Sequence, residues 1–182
     1  MTNASRRRFL MGLLAIGGAA VADRAGAADD DEFTWDDLVP PDWDPMDSFK
    51  DQEHLGMLPD SDPKVQKLYQ RLRDVWDNAP TIPALGGRAV KLPGFVVPLE
   101  TGKAGLREFL LVPYFGACIH TPPPPANQII HVRAASPVKG IRTMDAVWVD
   151  GILGLDRSNS SMGVAGYTLS AKSVSKDEAQ DR

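Results

Sequence analysis

Apolar side chains recur at three- and four-residue steps over Val65, Leu68, Leu72, Val75 and Trp76. That spacing lines one face of an α-helix. Asp62 stands where a side-chain cap is needed, and Pro63 follows at the first turn, where a missing N–H costs nothing. Lys64, Lys67, Gln70, Arg71 and Asp74 take the wet face, and Pro80 stops the pattern. The expected helix covers about residues 62–78, with its stripe packed into a core. After Pro83 the period shortens to two, or gives way to short apolar runs. Candidate strands cover 88–99, bent at Pro93-Gly94, then 106–119, bent or edged at Pro113, then 128–133, 146–155 and 163–174. The breaks are Gly102, prolines 122–125, Pro137 with Gly140, and residues 156–161. One N-terminal amphipathic helix before five short strands predicts a mainly β fold. A small five-stranded barrel of the oligonucleotide/oligosaccharide-binding (OB) type fits, with a two-sheet sandwich as the alternative.

The first residues follow a different pattern. Ser5-Arg6-Arg7-Arg8-Phe9-Leu10 matches a twin-arginine export motif, and an apolar stretch from Phe9 to about Ala22 follows it. That stretch is shorter than the roughly 20 apolar residues a membrane-spanning helix needs. Ala25-Gly26-Ala27 then supply the small residues of a cleavage site. Residues 1–27 are therefore expected to be a signal peptide, the mature protein periplasmic, and no stable membrane anchor to survive cleavage. No cysteine stands near the cleavage point to carry a lipid.

Charge changes the picture further. The whole chain carries −4, and residues 1–27 hold four arginines against one aspartate, so the mature chain carries −7. An acidic surface argues against nucleic acid and anionic lipid as partners. Residues 28–59 are acidic and proline-rich, without a helical or strand period. Yet Phe33, Trp35, Leu38, Val39, Trp43, Met46 and Phe49 are too apolar for a pure tether, so part of this segment should lie on the domain and bury Trp35 or Trp43. The domain itself is expected over 60–174, with 175–182 a charged, frayed tail.

Candidate chemistry concentrates in one segment, Tyr114-Phe115-Gly-Ala-Cys118-Ile-His120-Thr-Pro122-Pro123-Pro124-Pro125-Ala-Asn127-Gln128. Cys118 is the single cysteine, in a compartment where exported domains commonly pair theirs. In an extended chain Cys118 and His120 share a face, with α-carbons about 6.6 Å apart. A thiolate and an imidazole so placed could meet one ion, and that ligand pair favours zinc or copper. His131, on the next strand, is a candidate third ligand. Three readings of Cys118 stay open: a buried structural thiol, a soft-metal ligand, or a reactive nucleophile. The loop could also present Tyr114, Phe115 and the prolines to a protein partner. No Gly-X-Ser-X-Gly elbow, HExxH helix, phosphate-binding loop or dinucleotide fingerprint is present, and no catalytic residue is assigned.

Four blocks carry a family resemblance: Trp35-Asp-Asp-Leu-Val-Pro40, residues 91–100 (Lys-Leu-Pro-Gly-Phe-Val-Val-Pro-Leu-Glu), residues 109–132 around Cys118, and Val147-Trp-Val-Asp-Gly-Ile-Leu153. They resemble the uncharacterised exported bacterial family catalogued as domain of unknown function 3299. The resemblance covers the chain from Trp35 to about Tyr167. It implies no established activity. It does imply neighbours among ABC-type transporter components, some in zinc-uptake gene sets, and so supports a soft-metal role for Cys118 and His120. The positions carried over are those two, prolines 122–125, Asn127 and Gln128. Many members look like lipoproteins, whereas this chain has a twin-arginine signal and no anchoring cysteine.

Overall fold

The computed structural model describes residues 33–47, 49–50, 59–100, 105–118 and 123–177. The expected signal peptide, His120 and Pro122 lie outside the described residues.

Five strands close into a barrel: β1 Ala89–Pro98, β2 Leu106–Val112, β3 Ile130–Val138, β4 Ala146–Gly154 and, after a short hairpin of β5 Ser158–Ser160 with β6 Gly163–Ala165, β7 Tyr167–Lys176. The order around the barrel is β1-β2-β3-β7-β4, closed by β4 against β1. Every pairing in it is antiparallel except β3 with β7. This is an OB-like barrel rather than a sandwich, because one continuous ladder leaves no second sheet to pack against. Alternation decides which way side chains point: along β4, Val147, Val149, Gly151 and Leu153 are buried while their neighbours are half-exposed. The interior holds Leu92, Val96, Phe109, Leu111, Ile130, Val132 and Leu169.

Boundaries moved where turn chemistry overruled the apolar runs. The expected strand 106–119 ends at Val112, because Pro113 ends the ladder and the chain turns at Tyr114. The expected strand 163–174 divides, with β6 folding back on β5 and Gly166 separating it from β7. In the third strand, pairing passes through Pro137 to Val138 on the β2 side, so that proline marks an edge rather than a break.

α1 spans Pro63–Asp77, and the Asp62 carboxylate accepts the Lys64 N–H at 2.8 Å. Its stripe was expected in the core, but only Val65 is buried; Leu68, Leu72, Val75 and Trp76 are half-covered. The space at the barrel end is taken by another part of the chain. Phe33, Leu38 and Leu85 join the interior cluster, with Trp35 and Ile82 packed against it. Leu38 is fully buried, on a single 3-10 turn, Asp36–Leu38. Among the described residues, no helix is long and apolar enough to cross a membrane.

Candidate functional site

The end of the barrel where β3 and β7 begin is tied by side-chain hydrogen bonds to an N-terminal strap, residues 33–39, and to residues 80–82 after α1. The Tyr167 hydroxyl donates to the Leu38 carbonyl at 2.9 Å and accepts the Ile82 N–H at 2.8 Å. Burial, the larger influence, pushes the Tyr167 phenol above its ordinary pKa, against the opposing bond from Ile82. The Trp35 indole donates to the Pro93 carbonyl at 2.8 Å, and the Gln128 amide donates to the Trp35 carbonyl at 2.7 Å. The Asn127 amide donates to the Pro80 carbonyl at 3.1 Å. Asn127 and Gln128 thus engage the chain's own backbone, on a 3-10 turn at Ala126–Gln128.

Between the end of β2 and the start of β3, the described residues 113–118 and 123–129 lie against the outside of the barrel. A second apolar cluster lies beneath them: Val97, Leu110, Val112, Ala117, Ile129 and Ala165, with Phe95, Leu99, Cys118, Met144 and Met162 against it. The β5–β6 hairpin presses on the far side of the loop. Gly163, at φ 140°, lies so near that a Cβ there would stand 3.2 Å from the Pro123 Cβ and 3.3 Å from the Ile129 Cδ1. The Gly166 N–H donates to the Ala126 carbonyl at 2.7 Å. Pro124 is buried, and Pro123 and Pro125 are half-buried, so these prolines brace the loop against the hairpin and the barrel.

The loop's first half points outward. Phe115 is 65% exposed and Tyr114 is 45% exposed, on a turn closed by the Ala117 N–H to the Tyr114 carbonyl. The Phe115 ring stands edge-on to Phe95, with centroids 5.8 Å apart at 83°. That arrangement suits aromatic quadrupoles. The Gly116 N–H meets the Met144 sulfur at 3.1 Å. Beside them is a small depression of about 180 Å3 formed by Phe95, Phe115, Met144 and Asp145 with the start of β4 and the end of β7. The Asp145 carboxylate accepts from Lys176 Nζ at 2.7 Å and from the Arg142 N–H at 2.9 Å. Those bonds outweigh the opposing burial, the largest single influence, and hold its pKa below the ordinary value.

Cys118 sits in this loop in a left-handed conformation, φ 65°, and is half-buried. The extended backbone assumed for the Cys118–His120 pair is therefore corrected at Cys118: the chain turns there, because Pro113 and Gly116 end the strand before it arrives. Desolvation pushes the thiol up to about 11, from an ordinary 9.0. Such a thiol is neutral at physiological pH, and a nucleophilic cysteine needs the opposite shift.

His131 lies on β3 with its side chain on the outer face, opposite Leu110 of β2 and Thr168 of β7. It is 6% exposed; its Nε2 meets a Glu108 carboxylate oxygen at 3.2 Å, while Nδ1 is buried without a partner among the described residues. Cys118 packs against the cluster that contains Leu110, the residue across from His131. Among the described residues no three of His, Cys, Asp and Glu converge as a metal cluster would require. The loop's Cys118 thiol and, from two other turns of the chain, the thioethers of Met144 and Met162 thus pack against one apolar cluster, with a histidine across the strand pair. The strap-binding roles of Tyr167 and Gln128 were missed by sequence reasoning. A lone Tyr at a strand start, after Gly166, was the available signal.

Comparison with known proteins agrees with the barrel. A family model described as protein of unknown function (DUF3299) matches residues 35–176. The crystal structure of a DUF3299 family protein from Pseudomonas aeruginosa PAO1 is similar at 37% identity with a TM-score of 0.60, covering 81% of this chain and 95% of that one. A small single-stranded DNA-binding protein from Streptomyces coelicolor aligns at 16% identity over 52% of this chain and 98% of its own, with a TM-score of 0.32, too distant to carry an argument. No curated protein matches the chain.

Proposed function

The chain belongs to the DUF3299 family of proteins of unknown function, and we propose that it is an exported periplasmic accessory or binding protein. Its working surface is the loop 114–125, which docks a protein partner. The observation that carries this reading is Phe115, 65% exposed on a loop whose described residues from Pro123 onward are fastened to the hairpin and to Trp35. A large apolar side chain held upright in water is costly unless something covers it, and rigid aromatic anchors dominate protein interfaces. Asn127 and Gln128 serve as fasteners that hold the loop in its presenting shape. Export rests on the arginine pair and the short apolar stretch after it. The family resemblance supplies the partner class, ABC-type transporter components. Nucleic acid is not proposed: OB barrels bind it on the face of their second and third strands. Here that face carries Leu110, Val112, Ile129 and His131 and lies beneath the chain's own loop.

A photo-crosslinking residue at position 115, in cells that export the protein, tests this reading. The expected adduct joins a transporter component and is absent when the same group replaces Tyr69, an exposed aromatic on α1. Equal labelling from both positions, or none from either, removes the reading.

A soft-metal role for Cys118, His120 and His131 is the second reading. It is supported by the buried His131 Nδ1, which has no partner among the described residues, and by the sulfurs of Cys118, Met144 and Met162 around the neighbouring cluster. A metal ligand must be deprotonated, so zinc or copper binding at Cys118 would release the thiol proton. Stoichiometric zinc or copper in untagged mature protein, lost in Cys118→Ser and His120→Ala, would support it; protein that neither holds nor takes up either metal rejects it.

A further inference from the structure

The barrel has one weak seam. β3 and β7 run parallel and pair from Ile130↔Tyr167 to Ala134↔Ala171, where the register ends although both strands continue. Each strand carries a bulge at that point. Against β2, the pairings Glu108↔Arg133 and Leu106↔Val138 set five steps of β3 beside two of β2, so β3 holds three extra residues. Against β4, the pairings Gly151↔Ala171 and Asp150↔Ser173 leave Lys172 extra in β7. Gly151 permits this second bulge, since a Cβ there would stand 2.4 Å from the Ser170 carbonyl oxygen. Bulges bend and twist the strand that carries them. Here both bend at the same seam, and a cleft of about 380 Å3 opens between residues 134–139 and 171–174.

The walls of that cleft are unusual in two ways. Most of its side chains are small, so backbone rather than side chain faces the opening: Ala134, Ala135 and Ser136 on one lip, Ala171 and Ser173 on the other. Among the described residues that line it, the charged ones are Lys139 and Lys172, one on each lip, both exposed. They stand on the part of the chain that is net basic, since residues 63–182 hold fifteen Lys and Arg against ten Asp and Glu.

We infer that this seam accepts an extended acidic peptide, which adds to the free edge of β7 as a further strand. Unpaired strand edges bind extended chains through backbone hydrogen bonds, and flanking charge selects which chain. β7 is the template rather than β3, because Pro137 removes a donor from the β3 lip. A second copy of the same edge does not fit, because it would bring Lys172 against Lys172, and edge lysines are a common device against such pairing. An acidic strand meets both lysines favourably. This surface is separate from the Phe115 loop, so the two proposals fail independently.

The probe is a blocked octapeptide of alternating glutamate and valine, titrated into the mature protein with amide signals followed by NMR. Its lysine–valine counterpart is the control. Saturable shifts confined to residues 134–139 and 171–174 are expected with the acidic peptide only. Affinity should fall about fivefold or more in Lys139→Glu with Lys172→Glu, since two attractions become repulsions. Phe115→Ala should leave the titration unchanged. Equal binding of the basic peptide, shifts centred elsewhere, or no saturable shift overturns the inference.

Discussion

The barrel is finished in two opposite ways. At the end where β3 and β7 begin, Leu38 fills the interior, and the Tyr167 hydroxyl satisfies one backbone acceptor and one backbone donor from segments 129 and 85 residues away in sequence. Trp35 and Gln128 add two more long-range bonds. Farther along the same two strands, pairing stops, small side chains line a cleft, and one lysine stands on each side of it. The first region uses distant sequence to plug the barrel end and tie it down, and the second leaves an edge bare. Stability is thereby concentrated where the strap docks, and the part of the strand pair free to meet another chain is the part the fold needs least.

Two substitutions at the closed end should have the largest effects. Leu38→Ala removes a fully buried side chain that plugs the barrel, and should lower the unfolding free energy by about 3 kcal/mol in urea titrations. Tyr167→Phe keeps the ring but strands the Leu38 carbonyl and the Ile82 N–H, at about 2 kcal/mol. A loss under about 0.5 kcal/mol from either would mean the strap is an ornament, and the contrast between the two regions would vanish.

Much of the barrel was legible in the sequence, for a plain reason: period-two alternation is a local signal, and Val147, Val149 and Leu153 announce their face without help from elsewhere. The helix start was equally readable, because Asp62 and Pro63 act within one turn. What escaped was non-local. The stripe of α1 reads as core from its own spacing, but whether a core position exists depends on Leu38 and Phe33, which reached the barrel end instead. The conformation of Cys118 escaped as well. Pro113 signals a bend in the stretch from Leu106 to Ile119, but that the strand ends there shows only in the turn at Tyr114–Gly116, closed through Met144 on a distant loop. The bulges that open the seam have no clear local signature beyond Pro137 and Gly151.

Between the two regions in effect lies the thiol. The raised pKa of about 11 means that folded Cys118 holds its proton where the unfolded chain, near 9.0, has released it. Between those values the native state binds more protons, so its stability falls as pH rises from about 9 toward 11, and is unaffected below that window. Cys118→Ala should remove this slope. The same shift predicts that iodoacetamide alkylation of native protein keeps accelerating through pH 10, about tenfold per unit, without levelling near 9. A plateau below pH 8 would restore the reactive-thiol reading and place the chemistry of the molecule on the loop rather than on its surfaces.

The smallest effects belong to the open seam. Ser173→Ala and Lys172→Glu alter exposed side chains that no hydrogen bond or ion pair holds among the described residues, and each should change stability by no more than about 0.5 kcal/mol. Hydrogen exchange is the sharper measurement, because it reads each amide separately. In the paired part of β7, from Tyr167 to Ala171, strands on both sides can take up backbone donors. From Lys172 to Lys176 only β4 remains as a neighbour, so amides directed at the cleft have water as their partner and should exchange faster by orders of magnitude. Uniform protection along all of β7 would show that the seam zips shut in solution, and a closed seam offers an incoming strand nothing to pair with.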